Sequence, residues 1–261
     1  MNRYFINLIR FTVRVTVRLN RKLPNLIESD MKLLQGKGWG ATSVNLEAQS
    51  ALKVLSNLGI ANPIVLDLGA HIGTYSAAIF KLCPGAKIYA FEPSSFACSQ
   101  LQQRFQNDPR IEIYSFAISD VGGSSTLWSD IAGSGLASLS RRKLEHFNLT
   151  FDHAEEVQLK TLDDWNLEVD IQPDLIKMDV EGHELNVLNG AKSILKSAKV
   201  VQFEFGGCNI DTKTYFQNFW YFFSQADFKI FRIGPSGLME ILRYSEHDEC
   251  FLTTNYLAIR N

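Results

Sequence analysis

The stretch IVLDLGAHIGTYSAAIF, residues 64–80, decides the fold class of this chain. It opens with an apolar run typical of a buried β-strand, ends that run at Asp67 and Leu68, and continues into a helical pattern. Gly69 allows a sharp backbone turn where the strand ends, and Gly73 is expected to let the next helix begin close to the sheet. The free N–H groups at such a helix start form an anion site. The stretch therefore predicts a ligand site at the carboxyl edge of a sheet.

The same alternation of strand and helix patterns continues to the end of the sequence. Strand patterns occupy residues 63–68, 87–92, 110–117, 173–180, 199–205, 228–234 and 251–260, and helical patterns occupy 73–83, 94–107, 182–198 and 214–226. This order predicts an α/β fold with a doubly wound, mostly parallel sheet that helices cover on both faces. The last two strand patterns have no long helix between them, so we expect a hairpin that adds an antiparallel edge strand.

The turn after the first strand departs from the G-x-G-x-x-G pattern of dinucleotide-binding proteins. His71 stands where the middle glycine would lie, so a pyrophosphate would be crowded, and Asp67 suits a cationic or amine-bearing ligand better than a phosphate. At the end of the second strand, Glu92 precedes Pro93 and can accept hydrogen bonds from both hydroxyls of an adenosine ribose. The two motifs together predict an adenosine ligand without a pyrophosphate, and S-adenosylmethionine fits that description.

A third polar group lies in DLIKMDVEGHE, residues 174–184. Asp179 ends the fourth strand, and the next helix opens with Glu181, His183 and Glu184. These groups are costly to desolvate together unless they are used or well hydrated. Acids are also favoured in a first helical turn without any function, which explains Glu181 and Glu184 better than the others. Lys177 lies on the same strand face as Asp179, so the two are expected to pair.

Together, these segments resemble the FkbM-type S-adenosylmethionine-dependent methyltransferases. The resemblance covers about residues 60–260 and rests on LDLGAHIGTYS, AFEP, AISD (117–120), SGLASL (134–139), LIKMDVEGHELNVLNGA and VVQFEF. It implies a class I methyltransferase (Rossmann-like) fold with a seven-stranded sheet, and O-methylation of sugar or polyketide-type hydroxyls. Many members carry Asn at the position of His71, which is expected to touch the cofactor through its backbone. The cofactor contacts that we expect are Asp67, Gly69, Ala70, His71, Gly73, Glu92, Pro93, Ser119 and Asp120.

Methyl transfer to a hydroxyl is an in-line displacement that depends mainly on holding the reactants aligned. A sugar hydroxyl is a weak nucleophile at neutral pH, so a general base would help. His183 is the natural candidate by its pKa, with Asp179 or Glu181 orienting it, and the choice of base among these three stays open. A less favoured alternative is a divalent ion held by Asp179, Glu181 and Glu204; we expect no metal.

We place the methyltransferase domain at residues 51–261 and expect two further segments, an insert within this domain and an arm before it. Residues 129–156 form a polar insert on the carboxyl side of the sheet, where such loops are usually lids over a substrate, here the acceptor; a surface loop without function is the alternative. Residues 1–50 form an N-terminal arm. Before Glu28 the arm carries no acid and six cations: Arg3, Arg10, Arg14, Arg18, Arg21 and Lys22. Such an arm could rest on an anionic membrane surface, although a solvated arm is favoured.

Composition excludes several other classes. The 261 residues carry a net charge of −2, so no overall positive field favours nucleic acid as a partner. The fourth strand also ends in D-V-E-G, and not in the Pro-Pro-aromatic sequence that holds the amine of a nucleic-acid base for methylation. Four scattered cysteines without a C-x-x-C pair indicate reduced thiols, which are typical of a cytoplasmic protein. If the arm docks on a membrane, we expect the protein at the inner face of that membrane. The sequence contains no run of about 18 uncharged apolar residues, so no transmembrane helix is predicted.

Two alternatives to a small-molecule or glycan O-methyltransferase remain at this stage. A nicotinamide-dependent oxidoreductase is disfavoured by the missing G-x-G-x-x-G pattern and by Asp67. A membrane-associated, non-catalytic protein that binds an adenosine ligand is suggested by the basic arm, and the acids between Asp179 and Glu184 argue against it. The sequence predicts neither the acceptor nor the oligomeric state.

Overall fold

The computed structural model describes residues 23–39 and 44–261. The six cations of the arm therefore lie outside the described residues. The described strands are β1 (Ile64–Leu68), β2 (Lys87–Phe91), β3 (Ile111–Tyr114), β4 (Ala117–Ile118), β5 (Gly123–Ser129), β6 (His153–Lys160), β7 (Leu175–Met178), β8 (Val200–Phe205), β9 (Phe228–Gly234), β10 (Gly237–Glu240) and β11 (Thr254–Arg260). The described α-helices are α1 (Leu23–Leu34), α2 (Val44–Asn57), α3 (Thr74–Leu82), α4 (Ser95–Arg104), α5 (Leu162–Val169), α6 (Glu184–Asn189), α7 (Cys208–Thr212) and α8 (Phe216–Gln225).

The main sheet has the spatial order β3-β2-β1-β7-β8-β11-β9-β10. Strands β1, β2, β3, β7 and β8 pair in parallel, and β11 runs antiparallel to both of its neighbours. Leaving out β10, this is the strand order and direction of the predicted class I methyltransferase sheet. The prediction of seven strands missed β10, which pairs antiparallel with β9 and forms the edge. The predicted hairpin partner β11 is not at the edge, because it pairs with β8 on its other side.

A second sheet of order β4-β6-β5 carries the insert. Strands β5 and β6 pair antiparallel from Gly123 opposite Leu159 to Ser129 opposite His153. The predicted insert of residues 129–156 therefore begins and ends in paired strands, and only residues 130–152 leave the sheet.

The apolar runs account for the core. All four residues of β7 are buried, as expected for a central parallel strand covered on both faces. Beside β8 the ring of Phe203 stacks on Phe219, Phe223 and Tyr256 at centroid distances of 5.0, 5.1 and 5.2 Å. Such rings contribute a large share of the apolar area that a core removes from water.

Two predicted boundaries differ from the structure. The helix predicted over residues 182–198 ends with α6 at Asn189. The next residue, Gly190, packs so tightly that an added Cβ would lie 2.1 Å from the carbonyl oxygen of Ser119. The domain start predicted at residue 51 falls inside α2, whose Ala48 and Ala51 are fully buried on the core. In residues 23–39 and 44–261, no helix has both the length and the apolar character needed to cross a membrane.

Candidate active site

The turn after β1 is built by glycines at two close approaches. Gly69 has φ +76°, and a Cβ there would lie 1.9 Å from the carbonyl oxygen of Asp179, so the ends of β1 and β7 can meet only at a glycine. Gly73 has φ +77°, and its Cβ would lie 2.5 Å from the ring of Phe105. The close approach at Gly73 is therefore to side chains beside α4, not to the sheet as predicted.

Glu92 is held at the end of β2 by two backbone donors. His71 N–H donates to its Oε2 at 2.8 Å, and Ser94 N–H donates to its Oε1 at 2.8 Å. Burial raises the pKa of Glu92, while these two hydrogen bonds oppose that rise by favouring the carboxylate. The acid is therefore fixed in position and each of its oxygens keeps a lone pair for a ligand.

Asp67 lies beneath the turn and not on its surface. Its side chain is fully buried, accepts a hydrogen bond from Ser76 Oγ at 2.7 Å, and has its Oδ1 3.5 Å from Lys177 Nζ. Lys177 Nζ also lies 3.3 Å from Asp179 Oδ2, which confirms the predicted pair. Burial disfavours the charge of Lys177, but Asp179, Asp67 and Glu47 together outweigh burial and raise the pKa of Lys177. Asp67 therefore influences the site indirectly, through its contact with the Lys177 ammonium.

Glu181 is committed to an ion pair that the sequence did not indicate. Its Oε2 accepts a hydrogen bond from Arg142 Nη1 at 2.6 Å, and Arg142 Nε lies 3.7 Å from Asp211 Oδ2. Burial and then Asp179 raise the pKa of Glu181, and the Arg142 guanidinium opposes that rise by favouring the carboxylate. Glu204 faces the same acids, and burial followed by Asp179 raises the pKa of Glu204 as well.

His183 contacts the insert and not a carboxylate. Its Nε2 lies 3.0 Å from Ser140 Oγ. Burial lowers the pKa of His183, and Asp120 opposes that change. Asp120 in turn accepts a hydrogen bond from Ser119 Oγ at 3.0 Å. Asp120 therefore acts on the candidate base through its charge, while Ser119 contacts Asp120. Neither residue lies in the wall of the cavity described next.

Two adjoining cavities lie at this edge of the sheet. The one that we call the transfer cavity has a volume of about 60 Å³, and the predicted residues in its wall are Gly69, His71, Glu92, Pro93, Asp179, Glu181 and His183. The side cavity has a volume of about 250 Å³ and includes Ala70 and Lys177 in its wall. Gly69, His71, Gly135 and Asp179 belong to both walls, so the two cavities are neighbours.

Part of the insert closes over the transfer cavity, and we call residues 133–140 the strap. His71 Nε2–H donates to the carbonyl oxygen of Gly133 at 2.9 Å, and Ser138 Oγ donates to that of Glu181 at 2.8 Å. With the contact between Ser140 and His183, the strap is tied to both halves of the site.

Sequence reasoning missed several residues of the site. Ser138, Ser140 and Arg142 come from the polar insert, whose register on the site no local pattern reveals. Glu47 comes from α2, outside the resemblance; it lies in the wall of the side cavity, and its Oε2 accepts a hydrogen bond from Gln202 Nε2 at 3.2 Å. Burial raises the pKa of Glu47 to about 7.

Two of the acids at the carboxyl edge of the sheet are paired with cations. Asp179 faces Lys177 and Glu181 faces Arg142. Within residues 23–39 and 44–261, no group of three or more His, Cys, Asp or Glu side chains is arranged to hold a metal ion.

Comparison with known proteins points to one family. The family model described as "Methyltransferase FkbM domain" matches residues 67–230. The chain is similar to the 2-O-methyltransferase NoeI of Sinorhizobium fredii, with 28% identity over 163 residues, 59% of this chain and 67% of that protein. It is also similar to the hexuronic acid methyltransferase AglP of Haloferax volcanii, with 27% identity over 160 residues, 59% of this chain and 60% of that protein. The chain thus matches about two thirds or less of these relatives' length.

Among solved structures, a methyltransferase FkbM from Methylobacillus flagellatus is similar with a TM-score of 0.44 and 19% identity. That alignment covers 76% of this chain and 44% of the other.

Proposed function

Because this chain belongs to the FkbM methyltransferase family, we propose that it transfers a methyl group from S-adenosylmethionine to a hydroxyl group of a sugar or another small-molecule acceptor. The observation that carries the proposal is that three strand ends meet at one cavity, with Gly69 after β1, Glu92 after β2 and Asp179 after β7. The name of the relative NoeI supports methylation of an oxygen, and the name of AglP supports a sugar acid as the class of acceptor. Family membership favours methyl transfer over the nicotinamide-dependent alternative.

The residues present fit the cofactor at both of its ends. A carboxylate offers about four lone-pair sites, and the two backbone N–H groups on Glu92 leave room for both ribose hydroxyls. In the side cavity, the oxygen atoms around the Lys177 ammonium lie at 3.3–3.5 Å, which is longer than an ordinary hydrogen bond. The ammonium can therefore donate hydrogen bonds to a ligand carboxylate. Glu47 and Asp179 in the same wall suit an ammonium group. These charges match the amino-acid end of S-adenosylmethionine.

When bound, S-adenosylmethionine supplies an electrophilic methyl group on a sulfonium. The acceptor hydroxyl then has to lose a proton, and His183 in the wall of the transfer cavity is the group that we assign to take it. The lowered pKa keeps the imidazole neutral at neutral pH. We assign the tautomer in which Nε2–H donates to Ser140 Oγ, because this leaves Nδ1 as the proton acceptor. Glu181, held by Arg142, is less available for this role.

We assign the binding of the acceptor to the insert, residues 129–156. The strap already closes over the transfer cavity, whose volume of about 60 Å³ is well below the roughly 300–1,000 Å³ of small-molecule pockets. Ligand entry therefore requires the strap to shift, and residues 129–156 supply the surface that an acceptor meets next.

The proposal is tested by incubating the full chain with methyl-labelled S-adenosylmethionine and a panel of oligosaccharides and extracted glycans, followed by mass spectrometry of the products. We expect label on a sugar oxygen. Calorimetry with S-adenosylhomocysteine and with NAD should show binding of the first only. Binding of NAD in place of S-adenosylhomocysteine would contradict the proposal, as would cofactor binding without transfer to any hydroxyl acceptor in the panel.

A further inference from the structure

Helix α2 brings a carboxylate into the wall of the side cavity. Glu47 lies in the first turn of α2, and Val44 at the start of the same helix belongs to the same wall. Further along the helix, Ala48, Ala51 and Leu55 are fully buried in the core. The helix is therefore anchored by its apolar side, and this packing fixes the place of Glu47 at the cavity.

A neutral partner holds the Glu47 carboxylate in position. Its Oε2 accepts a hydrogen bond from Gln202 Nε2 at 3.2 Å, and Gln202 Oε1 accepts one from the hydroxyl group of Tyr75 at 2.8 Å. Gln202 and Tyr75 are 1% and 4% exposed, so the two hydrogen bonds fix the carboxylate from inside the protein. An amide orients the acid but does not neutralise its charge.

The charged groups that face Glu47 do not offset its burial. Lys177 Nζ lies 3.3 Å from Asp179 Oδ2 and is shared with that acid. Tyr75 on α3 and Glu204 on β8 also interact with Glu47, and neither brings a positive charge. Burial raises the pKa of Glu47 to about 7, the Lys177 ammonium opposes that rise, and Asp179 adds to it. A cationic ligand group in the side cavity would therefore relieve the cost of this buried charge.

We propose that Glu47 binds the ammonium group of S-adenosylmethionine, so that α2 forms part of the cofactor site. The inference rests on the proposed function, since it takes S-adenosylmethionine as the ligand. Asp179 is already paired with Lys177, whereas Glu47 is hydrogen-bonded to a neutral amide, so Glu47 is the better acceptor for a new cation. The ligand carboxylate then faces Lys177, and both charged groups of the amino-acid end meet opposite charges in one cavity.

Binding of this kind has a proton signature. An ammonium group beside a carboxylate favours the ionised form, so the pKa of Glu47 falls when the ligand binds. Because the pKa of Glu47 is about 7 before binding, up to about half a proton should pass from Glu47 to the buffer at pH 7. A nucleoside that lacks the amino-acid end should cause no such release.

The test is calorimetry of the full chain with S-adenosylhomocysteine and with 5′-deoxy-5′-methylthioadenosine, which keeps the thioether nucleoside but lacks the amino-acid end. Glu47→Gln should weaken binding of S-adenosylhomocysteine at least about tenfold and leave binding of the methylthioadenosine unchanged. Titrations in buffers of different ionisation enthalpy should show less proton release on binding of S-adenosylhomocysteine in this variant than in the unchanged chain. The matched control is Gln49→Ala, at an exposed position of the same helix, which should bind both ligands as the unchanged chain does.

Equal losses of affinity for the two ligands would make Glu47 a structural residue, and an unchanged affinity for S-adenosylhomocysteine would remove it from the site. Either result overturns the inference, as does proton release of the same size in Glu47→Gln. The proposed function survives these results if the unchanged chain binds S-adenosylhomocysteine and transfers methyl groups. An unchanged chain that binds neither ligand refutes both the inference and the proposed function.

Discussion

Ser140 Oγ lies 3.0 Å from Nε2 of His183, so the candidate base is oriented by the insert. Sequence reasoning expected Asp179 or Glu181 in that position, but these acids face Lys177 and Arg142. Neutral hydrogen bonds of this kind contribute about 1 kcal/mol. We therefore expect Ser140→Ala to lower the rate of methyl transfer about fivefold, and Ser140→Thr to restore most of it.

His183→Ala should lower the rate of methyl transfer about 10²–10⁴-fold and keep its cofactor affinity. Single-turnover rates check both, and a near-normal rate in His183→Ala would remove His183 as the base.

The pH dependence of turnover follows from the environment of His183. A general base works in its neutral form, and burial lowers the pKa of His183 below its ordinary value of 6.5. Turnover should therefore rise with pH through a titration below 6.5 and stay level at neutral pH. Asp120 raises this pKa, so Asp120→Asn should move the acidic limb to still lower pH. Rate–pH profiles of the two proteins check this, and a shift to higher pH would contradict it.

Glu92 should govern cofactor affinity more than turnover. Replacing it by Ala removes hydrogen bonds to a charged acceptor, each worth roughly 1.5–3 kcal/mol. Affinity for S-adenosylhomocysteine, measured by calorimetry, should fall by a similar amount. Glu112→Ala is a suitable control, because Glu112 pairs with Lys87 at an exposed position on β3. Equal affinities in the two variants would remove Glu92 from the cofactor site.

The strap should be sensitive at Gly133. This residue has φ +72°, and a Cβ there would lie 2.1 Å from the ring of Phe96, so Gly133→Ala has to displace the strap or that ring. Gly59 has a similar φ of +80° but open space around it, so Gly59→Ala carries the same backbone strain without the displacement. We expect Gly133→Ala to impair turnover much more than Gly59→Ala at equal thermal stability. Equal turnover in the two variants would show that the strap position is unimportant.

Because the side chain of Glu184 is buried, we expect the free energy of unfolding to fall as the pH rises. It accepts hydrogen bonds from Val180 N–H and Gly182 N–H, and burial raises its pKa from 4.5 to about 7. The folded state then binds a proton more tightly than the unfolded state, so the contribution is fully present below pH 4.5 and is lost as the pH rises through about 7. Its size is on the order of 3 kcal/mol.

Glu184→Gln should flatten this part of the pH–stability curve, measured by chemical denaturation. Glu145→Gln, at an exposed acid in the insert, should leave the curve unchanged. A curve with the same slope in Glu184→Gln would assign the dependence to other groups.

The buried pair of Asp67 and Lys177 should be costly to break from one side. Lys177→Met leaves Asp67 buried without a cation, which typically costs 3–5 kcal/mol, and Asp67→Asn in addition should restore part of that loss. The exposed pair of Lys160 and Glu168 is the control, since Lys160→Met should cost less than about 1 kcal/mol. Denaturant unfolding measures all three variants, and equal costs at Lys177 and Lys160 would contradict the prediction.

The sequence predicted the central sheet because seven apolar runs of adequate length carry it. It missed the small sheet, since β4 has only two residues and β5 is largely polar. It also missed the break after α6, because the contact of Gly190 with Ser119 joins segments about 70 residues apart. Short or polar strands and long-range contacts leave little trace in local periodicity.

The site shows the same division. Gly69, Glu92 and Asp179 were predicted because strand ends converge by topology. Ser140, Arg142 and Glu47 were not, because the insert and α2 reach the site through tertiary packing alone. Whether each predicted residue contacts the cofactor or the acceptor remains a prediction for the experiments above.

The pairing of Ser129 with His153 brings the two ends of the acceptor-side excursion to neighbouring positions on a separate small sheet. A change in residues 143–152, which follow the strap and Arg142, can therefore leave the register of the main sheet and the contacts of the strap in place. If the insert meets the acceptor, as we propose, this arrangement lets the acceptor surface vary while the cofactor pocket stays constant. Exchanging residues 143–152 between relatives is then a route to new acceptor ranges.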